Sequence, residues 1–398
     1  MKKRLFLRTA LCAFAIAATG LHAPAIQAAE KPFKVGLIVP MTGAFASTGR
    51  QLHSAVQAYM KDHGDTVAGR KIQVILKDDN GVAANSRKLA QELIVNDDVD
   101  VIAGFGLTPI TLAVAPIATQ SKTPMVLMAA QTQANTEASP YMVRSSGTIT
   151  QVTSGIAQWA VENDIKTAVT LVPDYAPGYE SEEAFKKYFL AAGGKILEEI
   201  RVPMRNPDFA PFLQRVRDVK PDALFVMLPS GPGAALLKQY GQRGLADAGI
   251  RLIGHGAITD DDNLNQAGDA ALGVITSDYY ATSHDSEMNR KFIETYKSID
   301  GTSRPNFFGV AGYDGMHLIY EALRKTDGKT DGKAEGMAFV DAMKNLSFES
   351  PRGPVTLDPE SRDFIQNIYM RKVEKVGDEY QNVEFDVIER VNAAGETK

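Results

Sequence analysis

From residue 34 onward the chain alternates short aliphatic runs with helix-period segments, and it does so in two successive series; few folds accommodate that alternation. The first series holds Lys34–Pro40 (KVGLIVP), Lys71–Leu76 (KIQVIL), Val99–Gly104 (VDVIAG) and Pro124–Ala129 (PMVLMA), each bounded by Gly, Pro or Asp. Such runs suit parallel strands buried on both faces. Between them Arg50–His63 sets Leu52, Val56, Tyr59 and Met60 on one helical face, and Ser86–Asn96 does the same with Leu89, Leu93 and Ile94. Right-handed crossovers fold such a series into a doubly wound sheet. The second series follows Arg144-Ser145-Ser146-Gly147: helix Thr150–Asn163, strand Thr167–Val172, helix Ser181–Ala191, strand Ala223–Leu228, helix Gly233–Arg243 and strand Gly273–Ser277. The next predicted helices, Glu287–Ser298 and Phe307–Arg324, bring no sheet of their own, as expected if two α/β lobes exchange chain segments. From Pro351 the pattern changes: Phe364–Val373 and Asn382–Arg390 alternate at period two, like hairpin strands padding the edge of one lobe.

The N-terminus sets the expected compartment. Lys2, Lys3, Arg4 and Arg8 precede an apolar run from Leu11 to Ala18, and small residues follow up to Ala29, the pattern of a secretory signal peptide cut after Ala28 or Ala29. The only cysteine, Cys12, lies inside that signal, at the front of the apolar run, where it does not suit a lipid anchor. The exported chain then has no disulfide, thiolate metal site or cysteine nucleophile, and its stability must come from a large core. Four basic residues leave with the signal and no acidic one, taking the formal net charge from −5 to −9. Nucleic acid and anionic membranes demand a basic patch, and the Lys and Arg residues form none.

Enzyme and cofactor motifs fail on their own chemistry. Gly328-Lys329-Thr330 resembles the end of a phosphate-binding loop, but Leu323 stands where its first glycine belongs. Gly104-Phe105-Gly106 begins like a dinucleotide fingerprint, yet the third glycine position is Pro109, which has no N–H to offer a phosphate. The histidines after the signal, His53, His63, His255, His284 and His317, are scattered, and Asp260-Asp261-Asp262 reads as a helix cap. No cofactor, metal or catalysis is therefore expected. Tyr313 and Asp314 are expected to make structural contacts. What remains is a set of small, polar loops just after strand ends, where open α/β sheets hold ligands: Met41–Gly49, Phe105–Ile110, Ala129–Gln133, Pro173–Gly178, Pro229–Gly233 and His255–Asp262. Three fall in each lobe, which implies a ligand held in a cleft that closes on it.

At these loops the sequence resembles the type I periplasmic solute-binding proteins of ABC importers, in the branch of the branched-chain amino-acid binders. The resemblance rests on Val35–Gly49 (VGLIVPMTGAFASTG), Lys77–Asn80, Leu112–Ala118 (LAVAPIA), Asn206–Phe212 (NPDFAPF) and Gly268–Gly273 (GDAALG) in that order. It implies two Rossmann-like lobes with doubly wound parallel sheets, joined by three hinge crossovers near Ser145–Thr148, Thr276–Tyr279 and Ser350–Leu357, closing like a venus flytrap. Lobe 1 would comprise 29–146 and 278–350, and lobe 2 would comprise 147–277 and 351–398, after a signal peptide of 1–28. It also implies the membrane permease subunits as partners of a monomer.

Carried over residue by residue, the resemblance changes the ligand. The carboxylate-holding positions match Leu107-Thr108 and Ala130-Gln131-Thr132, so hydroxyls for a carboxylate survive. The acid that pairs with an ammonium matches Gly256, beside His255, and an aromatic loop supporting the same group matches Pro229-Ser230. An ammonium buried without an anionic partner costs several kcal/mol, which disfavours a free amino acid unless Asp174 or Asp278 replaces the lost acid. With Phe45, Thr48 and Gly106 from the first-lobe loops, and Tyr175, Pro177, Tyr279 and Tyr280 as further walls, the cleft suits a flat carboxylate. Segments GFGLTP (104–109), MAA (128–130), PYMVR (140–144) and DYAPG (174–178) are similar to a sub-branch associated with benzoate or phenylpropanoid derivatives. An aliphatic amino acid or keto acid is the rival ligand, and ligand sensing for a separate receptor is the rival role.

Overall fold

The structure is a computed structural model and describes residues 31–204, 207–301, 304–329 and 336–398. The segment read as a signal peptide lies outside the described residues, as do Asn206 of the NPDFAPF run and Thr330.

The first series gives β1 (Phe33–Val39), α1 (Ala46–His63), β2 (Thr66–Val67), β3 (Arg70–Asp78), α2 (Ala83–Val95), β4 (Val101–Gly104), α3 (Thr108–Ser121), β5 (Met125–Leu127), α4 (Ala134–Glu137) and β6 (Met142–Arg144). Its sheet runs β2-β3-β1-β4-β5-β6, parallel except for the small β2 edge. Alternation along β1 shows why it is wound on both faces. Val35, Leu37 and Val39 pack with Leu52, Val56 and Tyr59 of α1, whereas Ile38 packs with Leu93 of α2 and Val114 of α3.

The second series gives α5 (Ile149–Glu162), β7 (Thr167–Pro173), α6 (Ala176–Ala191), β8 (Lys195–Val202), α7 (Ala210–Val219), β9 (Ala223–Val226), α8 (Ser230–Gln242), β10 (Arg251–His255), α9 (Leu264–Ala267) and β11 (Ile275–Asp278). The remainder supplies α10 (Glu287–Asp300), α11 (Phe307–Lys325), α12 (Gly336–Met343), β12 (Ser347–Ser350), β13 (Gly353–Leu357), β14 (Phe364–Val376) and β15 (Glu379–Val391). The second sheet runs β12-β13-β14-β11-β10-β9-β7-β8, with β15 along β14. Phe292, Phe307, Val310 and Ile319 of α10 and α11 join the first lobe's core, which accounts for two helices arriving without a sheet. The period-two tail does more than pad an edge: β14 pairs antiparallel with β11 and extends the second sheet. Ser347–Ser350, assigned to lobe 1 from sequence, is hydrogen-bonded into the second sheet, although the adjacent Leu346 packs in the first lobe's core.

The three chain crossings lie side by side, and Arg352 ties them. Its guanidinium donates to Asp314 Oδ2 (2.8 Å from Nε, 2.5 Å from Nη2), to Ser145 O (2.5 Å) and to Gln366 Oε1 (2.8 Å), and its centre sits 4.7 Å from the Tyr279 ring. Ser145, Tyr279 and Arg352 each stand on a different crossing. Asp314 thus has the structural role expected of it.

Candidate functional site

A cavity of about 220 Å³ opens between the lobes. Six helices begin at its wall: five of them follow strand ends that face the cleft, and the sixth, α11, follows α10. Phe45, Ser47 and Thr48 come from the start of α1, Leu107 and Thr108 from α3, and Ile149 from α5. Tyr175 and Pro177 come from α6, Pro229 and Ser230 from α8, and Phe307 and Phe308 from α11. Helix N-termini carry positive partial charge and unsatisfied N–H groups. Among the described residues lining the cavity, none is Asp, Glu, Lys or Arg. The site is therefore formally neutral yet favours an anion.

Of the sequence-derived candidates, Phe45, Thr48, Gly106, Leu107, Thr108, Ala130, Gln131, Tyr175, Pro177, Ser230 and His255 line this cavity. Thr132, Gly256 and Tyr280 do not. Thr132 stands behind Thr108, with their Oγ1 atoms 2.7 Å apart. When Thr132 donates, the Thr108 proton is left for a ligand oxygen. Arg144 fixes this loop from behind, donating to the carbonyls of Gln131 and Thr132 at 2.8 Å each while its Nε lies 3.0 Å from Asp363. Tyr280 is fully buried in the first lobe, its hydroxyl donating to Asn289 Oδ1 at 2.9 Å, because the chain leaves the cleft after Asp278. Its neighbour Tyr279 is also buried, reaching the site only through its hydroxyl, 3.5 Å from Gln131 Nε2.

Gly256 is a close approach. A Cβ there would stand 2.1 Å from Arg371 Nη2 and 2.2 Å from Asp278 Oδ2, so no acid fits at that position while this buried pair stays in place. Neither proposed substitute faces the cavity. Asp278 is fully buried beside Arg371, and Asp174 is exposed, accepting from Tyr179 Oη at 2.5 Å. Burial pushes Asp278 up to about 7 against the pull of Arg371.

His255 is 1% exposed. Burial, reinforced by the Arg371 charge, pushes its imidazole down to about 3. Tyr175 is pushed up to about 12 by burial and stays a phenol.

Asp260-Asp261-Asp262 caps no helix; the N-cap of α9 is Asn263, with no side-chain capping bond. Instead each acid meets the first lobe's segments. Asp260 accepts from Asn306 Nδ2 (2.9 Å), Asp261 lies 3.7 Å from Arg304 Nη2, and Asp262 takes Ser47 Oγ and Arg50 Nη2, the latter at 2.5 Å. At another margin of the cleft Glu180 accepts from the Gln133 N–H (3.1 Å) and Thr150 Oγ1 (3.2 Å). These bonds hold the lobes together around the cavity.

Sequence reasoning missed Phe307 and Phe308, which supply aromatic wall with ring centroids 4.2 Å apart, and Met227 and Leu228 at the end of β9. The only signal was position: Phe307-Phe308 opens a predicted helix, the same place that marks the other lining residues. Among the described residues no cluster of His, Cys, Asp and Glu could hold a metal ion.

Two α/β lobes closing a cleft over a neutral, helix-ringed cavity define a ligand-capturing protein, and the chain belongs to the periplasmic binding protein family, which it matches over residues 32–378. It is 41% identical to Leu/Ile/Val-binding protein homolog 6 of Brucella abortus (strain 2308), over 97% of each chain. It is 55% identical to a solute-binding protein of an ABC transporter from Rhodopseudomonas palustris BisB5, solved in complex with 3,4-dihydroxybenzoic acid. That likeness covers 92% of this chain and 99% of the other, with a TM-score of 0.88. A solute-binding protein of R. palustris HaA2, in complex with p-hydroxybenzoic acid, is 37% identical with a TM-score of 0.86, covering 90% of this chain and 97% of the other.

Proposed function

We propose that the protein is the substrate-capture component of an ABC importer and holds a small aromatic carboxylate between its lobes. The observation that carries this reading is the lining itself: six helix N-termini, the Thr108 hydroxyl backed by that of Thr132, and aromatic walls, with no carboxylate to meet an ammonium. A volume of about 220 Å³ lies below the roughly 300–1,000 Å³ of drug-sized sites and suits one ring with small substituents. The benzoate-type ligands of the two R. palustris proteins support the same class. In this reading Thr108, backed by Thr132, fixes the carboxylate through its hydroxyl and its backbone N–H at the start of α3, while Phe45, Tyr175, Phe307 and Phe308 cover the ring. Closure then presents the loaded form to the permease, since ligand shifts the equilibrium only through contacts made better in the closed state. Residues 1–28 would direct export to the periplasm, and the lobe limits read from the sequence, 29–146 with 278–350 and 147–277 with 351–398, belong to the same proposal, except that Asp278 and Ser347–Ser350 are hydrogen-bonded into the second sheet.

The test is isothermal titration of refolded, ligand-stripped protein with benzoates, cinnamates, leucine, valine and their keto acids. A thermal-shift series gives an independent reading, because a ligand at 100 times Kd adds about 2.7 kcal/mol. Aromatic acids should bind and the amino acids should not. Binding of leucine or valine in preference to every aromatic acid would end this reading.

A further inference from the structure

His255 carries a donor that the protein leaves unused. Its Nδ1 accepts the Ala257 N–H at 3.1 Å, so the neutral ring bears its one proton on Nε2. That Nε2 is buried and makes no hydrogen bond within the described structure. The burial that holds the imidazole neutral keeps this arrangement across the physiological range. A buried N–H without an acceptor is costly, and natural structures retain one where something else supplies the acceptor.

The residue lines the cavity from the end of β10, in the second lobe, whereas Thr108 lines it from the first. Around His255 the wall is otherwise largely apolar, formed by Met227, Leu228, Pro229 and Ala257. Because Thr108 and His255 stand on opposite lobes of one cavity, a flat acid anchored at Thr108 and spanning the cleft would bring its far edge to that wall, where a bare C–H edge would leave Nε2–H unmet.

Resting on the aromatic-carboxylate reading above, we infer that His255 Nε2–H recognises an oxygen substituent on the ligand's ring, so that the site selects ring-hydroxylated aromatic acids over the unsubstituted acid. The imidazole is thus a specificity-determining residue for the end of the ligand remote from its carboxylate. Polar groups left unpaired in a site discriminate strongly against a ligand that lacks the partner.

The experiment compares benzoate with 4-hydroxybenzoate by calorimetry on wild-type protein and on His255→Leu. Wild type should bind 4-hydroxybenzoate at least tenfold more tightly, and in His255→Leu that ratio should fall to within about threefold. In case the variant does not fold, proton–nitrogen spectra of wild-type protein carrying labelled histidine give a second reading. The Nε2–H resonance of His255 should shift on adding 4-hydroxybenzoate and shift far less with benzoate. Equal affinities in wild type, an unchanged ratio in the variant, or the same Nε2–H response to both acids would overturn the assignment while leaving the aromatic-carboxylate reading intact. Failure of both acids to bind wild type would overturn both.

Discussion

The hinge and the cavity are neighbours with opposite chemistry. Three buried Arg–Asp pairs, Arg144–Asp363, Arg352–Asp314 and Arg371–Asp278, stand around the chain crossings and behind the site, while the cavity's lining carries no formal charge. Charge is used here for position: a buried guanidinium must find several acceptors at fixed places, and so fixes the strands that carry them. Selection is left to neutral donors, whose cost when unpaired depends on whether the right ligand arrives.

The largest effect expected from this contrast is at the hinge. Arg352→Leu leaves Asp314 buried without its partner and should cost about 3–5 kcal/mol of stability in denaturant unfolding. A variant as stable as wild type would mean that the crossings are held by packing alone. At the cavity, Thr108→Val should spare most of the stability but remove a hydrogen bond to a charged ligand group worth about 1.5–3 kcal/mol, roughly ten- to a hundredfold in Kd by calorimetry. Thr132→Val, acting through Thr108, should weaken binding less; an equal or larger loss would reverse their assigned order.

The buried acids give the contrast a pH axis. Asp278 is raised from 3.8 to about 7, so the stability linked to its protonation is fully present below about pH 4 and is lost as pH rises through about 7. For that one proton the unfolding free energy should fall by up to about 1.4 kcal/mol per pH unit across the interval. Asp278→Asn should flatten the slope measured by denaturation between pH 5 and 7, and a slope identical to wild type would show the carboxyl to be ionised throughout. The smallest effect belongs to the cleft margin. Arg50 is 43% exposed, so Asp262→Asn should cost about 0.5–1 kcal/mol of ligand affinity, a two- to fivefold change that shrinks with added salt. A change of a hundredfold would place that contact among the determinants of closure.

The longer aliphatic strands, β1, β4, β7 and β9, were readable because a doubly covered strand must be apolar throughout, whereas the short β6 (MVR) and β10 (RLIGH), each ending in a charged or polar residue, were not. Nor was β8, since Lys195–Val202 (KILEEIRV) lies at the sheet edge and keeps a charged, half-exposed pattern. The site loops were readable for a related reason: strand ends in an open α/β sheet point to one place. Which side chains of those loops face the cleft was not. Gly256 and Tyr280 follow strands β10 and β11, yet one sits over an ion pair and the other turns back into the first lobe. Phe307 and Phe308 reach the site only because a distant segment folds across it, a long-range event that no local pattern encodes. The acidic triplet was misread for the same reason, its partners lying over 40 residues away or more in sequence.

The second sheet has a consequence for biosynthesis. Its β11 is flanked on one side by β14, and β14 by β15, so the lobe begun at residue 149 is completed only by residues 364–391. A chain emerging from its N-terminus therefore presents an unpaired β11 edge until residues 364–376, about 90 positions further on, have been delivered. Productive folding of this lobe must wait for β14, and the interval before it arrives is when the nascent chain is most exposed to wrong strand partners.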